Sequence, residues 1–320
     1  MSGPVIVTGP DRSGTTLLYQ LLASHPRLSM VRRTNMFRWF YGRFGDLGNP
    51  ANLEACLDTM LRYERLGALR PDRSTIESEF AQGEPTYGTL FAIMHRQEAE
   101  RRGKARWGDK SLHHEHHAAD IFHEWPAASM IHLIRDPRDR HASVTKRYAE
   151  RKKGIGSVTG RWLASTRAGE MNTTRYPDRY LLVRYEDLVH DTTSVLERVC
   201  GVIGEPFDPA MLRMDGAFDA DAEGNSSFEE VPVGTISTRS IGRFRDILSP
   251  SEIRFIEDVA RGPLETHGYQ PVRPGVGLGY QLRYLPENYL RMRLWMIRDA
   301  GQRGRGAEVP MARLRPEGIG

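Results

Sequence analysis

Apolar positions along the chain fall into short β-branched runs separated by stretches with helical spacing. Pro4-Val5-Ile6-Val7-Thr8 is one such run, bounded by Pro and Gly, and it predicts a buried strand. Gly9-Pro10-Asp11-Arg12-Ser13-Gly14 has turn composition, and the leucines at 17, 18, 21 and 22 then repeat as a helix face. Pro26 ends that helix, because proline excludes the helical conformation just before itself. Leu28-Ser29-Met30-Val31 predicts a second strand.

Residues 32 to 103 hold no clear strand. Helical spacing runs from Asn52 to Leu66 and from Pro85 to Arg102, while Asp72 to Gly83 is polar and reads as loop. Ala128 to Ile134 is the next clear strand, and a helix opens at Asp136-Pro137, where proline and acids suit a first turn. Tyr180-Leu181-Leu182-Val183 is another strand, with Tyr185-Glu186-Asp187-Leu188 after it and a helix from Thr192 to Val202. Helix is also predicted from Pro250 to Glu265, with Ser249 as cap, and from Arg283 to Ala300. Strands separated by helices predict an α/β fold with a mostly parallel sheet. The chain reads as a single domain over 1–320, with a helical excursion at about 32–105, a flexible acidic loop at about 215–235 and a C-terminal helical extension at about 280–320.

Composition narrows the class. The 320 residues are 39% hydrophobic and carry a formal charge of only +4, which excludes a disordered polyelectrolyte. Residues 135 to 153 carry eight Lys/Arg against three Asp/Glu, yet only Tyr148 interrupts them, so no stacking platform for nucleic acid is present. Two cysteines cannot build a disulfide framework, and Met1-Ser2-Gly3-Pro4 does not open a secretory signal. No run approaches the length of a membrane span. These features predict a cytoplasmic location without a transmembrane segment.

The first loop carries the chemistry. A glycine-rich turn between a strand and a helix gathers backbone N–H groups at a helix N-terminus, where a phosphate or sulfate fits. The spacing from Gly9 to Gly14 is that of a phosphate-binding P-loop, but Thr15 and Thr16 follow where a nucleoside-triphosphatase has Lys and Ser or Thr. A cation is present instead at Arg12, within the loop. A P-loop small-molecule kinase using ATP and magnesium is the alternative that this loop leaves open.

Four segments together carry a resemblance. Gly9-Pro10-Asp11-Arg12-Ser13-Gly14-Thr15-Thr16-Leu17-Leu18 resembles the 5′-phosphosulfate loop of sulfotransferases that use 3′-phosphoadenosine 5′-phosphosulfate (PAPS), in the bacterial and tyrosylprotein-type branches. Leu133-Ile134-Arg135-Asp136-Pro137-Arg138-Asp139 with Ser143 is similar to the family's 3′-phosphate segment. Tyr185-Glu186-Asp187-Leu188 is similar to its third block, and Arg239-Ser240-Ile241-Gly242-Arg243-Phe244-Arg245 to its closing loop. The resemblance implies a P-loop NTPase-like three-layer fold, a central parallel sheet flanked by helices. It implies PAPS as cosubstrate, with no metal expected, and sulfuryl transfer to a hydroxyl of a small-molecule acceptor such as a natural product, sugar or lipid-linked metabolite. Arg12, Ser13, Gly14, Thr15 and Thr16 would hold the 5′-phosphosulfate. Arg135 and Ser143 would hold the 3′-phosphate, with Arg239 as a further contact. Lys110 would assist at the transferring sulfuryl group. The chemistry agrees: developing charge on the sulfuryl and phosphate oxygens calls for Arg, Lys and backbone donors.

The proton acceptor departs from the family pattern. Where the tyrosylprotein-type branch has its acidic pair after the second strand, this chain has Arg32 and Arg33. Either the base lies elsewhere, or the acceptor is itself anionic, or the chain is a catalytically inactive nucleotide-binding homologue. Asp109-Lys110-Ser111-Leu112-His113-His114-Glu115-His116-His117 supplies replacements, His113 first and Glu115 second. His113 and His117 are spaced to share one helix face, but the stretch lacks the zinc-protease order and reads better as helix-surface histidines. Glu77 and Glu79 form another acidic pair, best read as solvated. Tyr87, Phe91 and Met94 read as core, and the basic C-terminal helix as packed against the domain rather than lipid.

Overall fold

The computed structural model describes residues 3–148, 154–216, 235–305 and 313–315. Five strands form one parallel sheet: β1 (Val5–Thr8), β2 (Leu28–Arg32), β3 (Arg106–Lys110), β4 (Ser129–Ile134) and β5 (Tyr180–Arg184), in the spatial order β2-β3-β1-β4-β5. The helices are α1 (Thr15–Ala23), α2 (Met36–Trp39), α3 (Pro50–Arg62), α4 (Arg73–Phe80), α5 (Tyr87–Arg101), α6 (Ala118–Glu124) and α7 (Pro137–Arg147). They continue as α8 (Ile155–Arg175), α9 (Tyr185–His190), α10 (Thr192–Ile203), α11 (Phe244–Ile247), α12 (Pro250–Val259), α13 (Arg261–Thr266) and α14 (Leu285–Arg305).

The period-two alternation of a strand divides the core into two. Ile6, Val31 and Met130 face a cluster built with Phe37, Phe40, Met60, Leu90 and Phe91. Val5, Val7, Ile131 and Leu133 face the other way, onto Leu18, Leu22, Leu196 and Val199. Both faces of the sheet are therefore covered, which is why its strands read as continuous apolar runs. This is the three-layer α/β architecture expected. Tyr87, Phe91 and Met94 are buried core, also as expected. All strands point the same way, so the loops after β1, β2, β3 and β4 meet at one edge of the sheet, where α/β proteins bind ligands.

Three expectations are corrected. Residues 106–110 carry no apolar run, yet they form β3, inserted between β2 and β1. The polar stretch from Asp72 to Gly83 contains α4: Asp72 caps it by accepting from the Thr75 N–H, and Ile76 and Phe80 anchor it in the core. The histidines do not lie on a helix surface. His113 adopts left-handed backbone (φ 75°), and residues 114–116 form a single 3-10 turn in which His114 and Glu115 are buried.

The long helix α8 is a further element without a sequence signal. Glycines along it admit neighbouring elements: a Cβ at Gly156 would lie 2.6 Å from the Asn288 carbonyl oxygen, and one at Gly169 2.7 Å from His132 Nδ1. α14 docks on α8 through Asn288 and Met292, as the packed reading expected, and exposes Leu290, Leu294 and Ile297 on its far side. No helix among the described residues is long and apolar enough to cross a membrane. The acidic stretch expected at about 215–235 lies, from 217 to 234, outside the described residues, as does part of the C-terminal extension.

Candidate active site

The loop after β1 is held by its neighbours rather than by itself. Gly9 (φ 140°) passes so close to β4 that a Cβ there would lie 2.3 Å from the Leu133 carbonyl oxygen. Gly14 (φ 89°) rests against Tyr185, whose ring would meet a Cβ at 2.3 Å. No side chain caps α1, whose first turn holds Thr15 and Thr16, so its N-terminal amides face the loop. Arg140, fully buried on α7, donates to the Asp11 carbonyl (2.8 Å), to the Asp11 carboxylate and to the Val158 carbonyl (2.9 Å). Ser13 Oγ is buried with no hydrogen-bond partner.

The β4–α7 junction completes one face of the site. Asp136 caps α7 by accepting from the Arg138 N–H at 2.9 Å, and its own N–H donates to Glu186 at 2.9 Å. Arg135 precedes this cap. It donates to the Arg12 carbonyl (3.3 Å) and the Ser240 carbonyl (2.7 Å), and its guanidinium lies 4.6 Å from the Tyr185 ring centre. Its Nε is buried and unpartnered. Arg12, in left-handed backbone (φ 68°), donates from Nε to Ser143 Oγ at 2.9 Å. Burial lowers the Arg12 pKa, and Arg135 and Arg147 nearby add to it.

The structure thus brings Arg12, Ser13, Gly14, Arg135 and Ser143 to one place, with Thr15 and Thr16 in the adjoining helical turn. Arg239 is exposed, and its main chain contacts Ser237 and Arg243. The residue after it, Ser240, makes the inward contacts, to Arg135 and to the Tyr185 hydroxyl at 2.8 Å. Asp139 pins this segment by accepting from the Gly242 and Phe244 N–H groups at 2.7 and 2.9 Å. Sequence reading missed Ser240 and Asp139, although both lie within segments it singled out.

Lys110 ends β3, in register with Val7 of β1 on one side and Arg32 of β2 on the other. It is buried. Burial first, then Arg33 and Arg32, push its pKa down to about 7. Arg33 (φ 64°) donates its N–H to the Lys110 carbonyl at 2.8 Å. Beside it, Asp109 accepts from Thr34 Oγ1 (2.6 Å) and Ser111 Oγ (3.1 Å), and burial outweighs those bonds to raise it to about 7.

The two base candidates are placed differently. Both oxygens of Glu115 are engaged: Thr8 Oγ1 donates to one at 2.5 Å and Ser165 Oγ to the other at 2.6 Å. Burial pushes this carboxyl up, but His116, His132, His113 and the Ser165 bond outweigh it and hold it well below the usual carboxylate range. His113 Nε2 accepts from Arg161 Nη1 at 3.0 Å, and burial, Arg38 and Arg161 hold its pKa well below the ordinary value. Glu77 and Glu79 pair with Arg73 and Arg96 on exposed surface.

His113, Glu115 and His116 offer ligand-type atoms within 4.8 Å of one another. The donor chemistry argues against a cation there. Both Glu115 oxygens are already hydrogen bonded, and the Arg161 guanidinium sits directly on His113.

A glycine loop after the first strand, an arginine before the helix that follows β4 and a cluster of cations at the strand ends thus share one edge of the parallel sheet. A family model described as sulfotransferase family matches residues 4–209, and the chain belongs to that family. The sulfotransferase domain of an olefin synthase from Synechococcus PCC 7002 is 24% identical, over 84% of this chain and 97% of that one, with a TM-score of 0.55. A sulfotransferase domain from the curacin biosynthetic pathway is 18% identical, over 84% of this chain and 99% of that one, with a TM-score of 0.54. Both are similar to this chain in fold.

Proposed function

We propose that this sulfotransferase moves the sulfuryl group of PAPS to a hydroxyl of a small-molecule acceptor. The observation that carries the reading is the Arg12–Ser143 hydrogen bond of 2.9 Å, which joins the glycine loop to the β4–α7 segment. One ligand with an anion at each end would be held by both. Ser13 Oγ and Arg135 Nε, buried and unpartnered, are donors that such a ligand would satisfy. Gly9 and Gly14 leave the backbone bare where a phosphate would approach.

In this reading PAPS, when bound, supplies an activated sulfuryl group. Arg12, Ser13 and the amides of Gly14, Thr15 and Thr16 hold its 5′-phosphosulfate. Arg135 and Ser143 hold the 3′-phosphate, with Arg239 on the closing segment. Lys110 would stabilise the charge that develops on the transferring oxygens. Of the two proton acceptors, His113 is preferred to Glu115, whose oxygens are both occupied. We assign the chain to the tyrosylprotein-type and bacterial branch on its Arg12-Ser13-Gly14-Thr15-Thr16 sequence, as one domain with its acceptor side built by residues 32–105. Two buried free cysteines accord with a reducing cytoplasmic setting.

Calorimetric titration with adenosine 3′,5′-bisphosphate, beside ADP and ATP with magnesium, tests the donor. Micromolar binding of the bisphosphate alone supports the reading. Binding only to ATP with magnesium would replace it by a kinase.

A further inference from the structure

Two arginines at the acceptor side are left over by that reading. Arg38 comes from α2 and Arg161 from α8; Arg161 contacts the His113 side chain, and the Arg38 charge acts on it. Arg161 Nη1 lies 3.0 Å from His113 Nε2, and after burial the Arg38 charge does most to lower the pKa of that imidazole. Each guanidinium is flanked by an indole: Arg38 is 4.5 Å from the Trp39 ring centre and Arg161 is 5.3 Å from that of Trp295. The two act on each other as well. After burial, Arg161 is the largest cause of the lowered Arg38 pKa.

Three buried arginines, unlike Arg135 of the donor site, are neutralised by carboxylates. Arg106 faces Glu205, Arg138 faces Asp136 and Glu257, and Arg140 faces Asp11. Among the described residues no carboxylate lies within ion-pair distance of Arg38 or Arg161. Glu115 and Asp299 are near enough to oppose the Arg38 charge, but Glu115 already accepts from Thr8 and Ser165. Like charges acting on one another beside a half-buried imidazole are costly, and an anion between them removes the cost. The planar guanidinium fork suits a carboxylate, sulfate or phosphate.

The position is that of the acceptor. His113 follows Lys110 by three residues, and Glu115 beside it accepts from Thr8, the last residue before the glycine loop. We infer that the acceptor carries a negatively charged group close to the hydroxyl it presents, and that Arg38 and Arg161 hold that group. This rests on the sulfotransferase reading for the identity of the reaction, but not for the anion site itself. It also accounts for the resting contact on His113. Arg161 cannot keep the imidazole and embrace an oxyanion with the same N–H, so an arriving acid frees Nε2 to take the hydroxyl proton.

The test has two arms. In the first, the protein saturated with adenosine 3′,5′-bisphosphate is titrated with benzoate and with inorganic phosphate, following the fluorescence of the tryptophans beside the arginines. Saturable binding is expected for at least one of them, weakened about tenfold in each of Arg38→Gln and Arg161→Gln. Affinity for the bisphosphate should stay within about twofold in both variants, which shows that they fold. No saturable anion binding, or equal binding by the variants, overturns the proposal.

In the second arm, with PAPS, kcat/KM is compared for matched pairs: 2-naphthol with 6-hydroxy-2-naphthoate, and glucose with glucose 6-phosphate. The acidic member of at least one pair should be preferred by about tenfold or more, and Arg38→Gln with Arg161→Gln together should abolish the preference. A neutral preference overturns the proposal. Failure of the sulfotransferase reading looks different: the bisphosphate does not bind, while the fluorescence arm still reads the anion site in the ligand-free protein.

Discussion

Arg12 Nε donates to Ser143 Oγ at 2.9 Å, across 131 residues of chain. The contact joins the two anion-binding segments, and Arg135 reinforces it by donating to the Arg12 carbonyl. Replacing Arg135 by Ala should therefore separate the two ends of the donor. Loss of a charge-assisted contact of about 1.5–3 kcal/mol should weaken adenosine 3′,5′-bisphosphate about 10- to 100-fold. Adenosine 5′-monophosphate, which lacks the 3′-phosphate, should lose less than about threefold. Titration of both ligands checks this, and equal losses would remove Arg135 from the 3′-phosphate site.

Lys110 sits near pH 7 because it is buried and because Arg33 and Arg32 repel its charge. An ordinary lysine titrates at about 10.4. The unfolded chain therefore holds this proton between pH 7 and about 10.4 while the folded chain gives it up, so Lys110 makes stability rise with pH across that window. A bound phosphosulfate or bisphosphate favours the charged form, so binding above pH 7 takes up a proton and weakens as pH rises. Calorimetry at pH 8 in buffers of different ionisation enthalpy should detect that uptake, and Lys110→Met should abolish it. The same variant should lower kcat about 100-fold or more while changing donor affinity less than about tenfold.

Much of this arrangement is written locally. The β-branched run Val5-Ile6-Val7 and the Asp136-Pro137 cap each fix their own backbone, and both, with the glycine loop between β1 and α1, are found where expected. Ser249 likewise caps α12 with Glu252 in a reciprocal box. The strand that carries Lys110 was not legible, because Arg106-Trp107-Gly108-Asp109-Lys110 is polar for reasons of partnership rather than exposure. Arg106 is neutralised by Glu205, and Asp109 by hydroxyls of Thr34 and Ser111. α8 was missed because its glycines and hydroxyls serve close packing, which leaves no apolar period to read. Arg38 and Arg161 stand 123 residues apart and outside every motif, so only the folded chain shows them as a pair.

Two glycines with positive φ separate backbone strain from collision. Gly14 (φ 89°) and Gly42 (φ 71°) both disfavour a side chain, but only at Gly14 would a Cβ meet a neighbour, the Tyr185 ring at 2.3 Å; nothing lies within 4 Å at Gly42. Gly42→Ala should cost about 1 kcal/mol, the left-handed penalty alone. Gly14→Ala should cost about 1–3 kcal/mol more, because the ring that must yield also stacks on Arg135. Thermal melts of the two variants give the difference directly. Equal shifts would mean that Tyr185 moves freely and does not brace the loop.

Glu115 offers the sharpest separation of a structural carboxylate from a catalytic one. Its oxygens accept from Thr8 and Ser165, which ties the last residue of β1 to α8, and its charge opposes His116, His132 and His113. Burial alone would raise this carboxyl; those groups win and hold it well below the usual range. A depressed folded pKa gives stability that is full above the unfolded value of about 4.3 and is lost as pH falls below it. Glu115→Gln should therefore lower Tm at pH 7, with a penalty that shrinks between pH 5 and pH 3. A base would behave otherwise, since its removal costs about 10²- to 10⁴-fold in rate. We expect kcat to fall less than about tenfold in Glu115→Gln and far more in His113→Gln. A variant of Glu115 with intact Tm and a hundredfold slower turnover would transfer the proton to Glu115 and leave His113 as its neighbour.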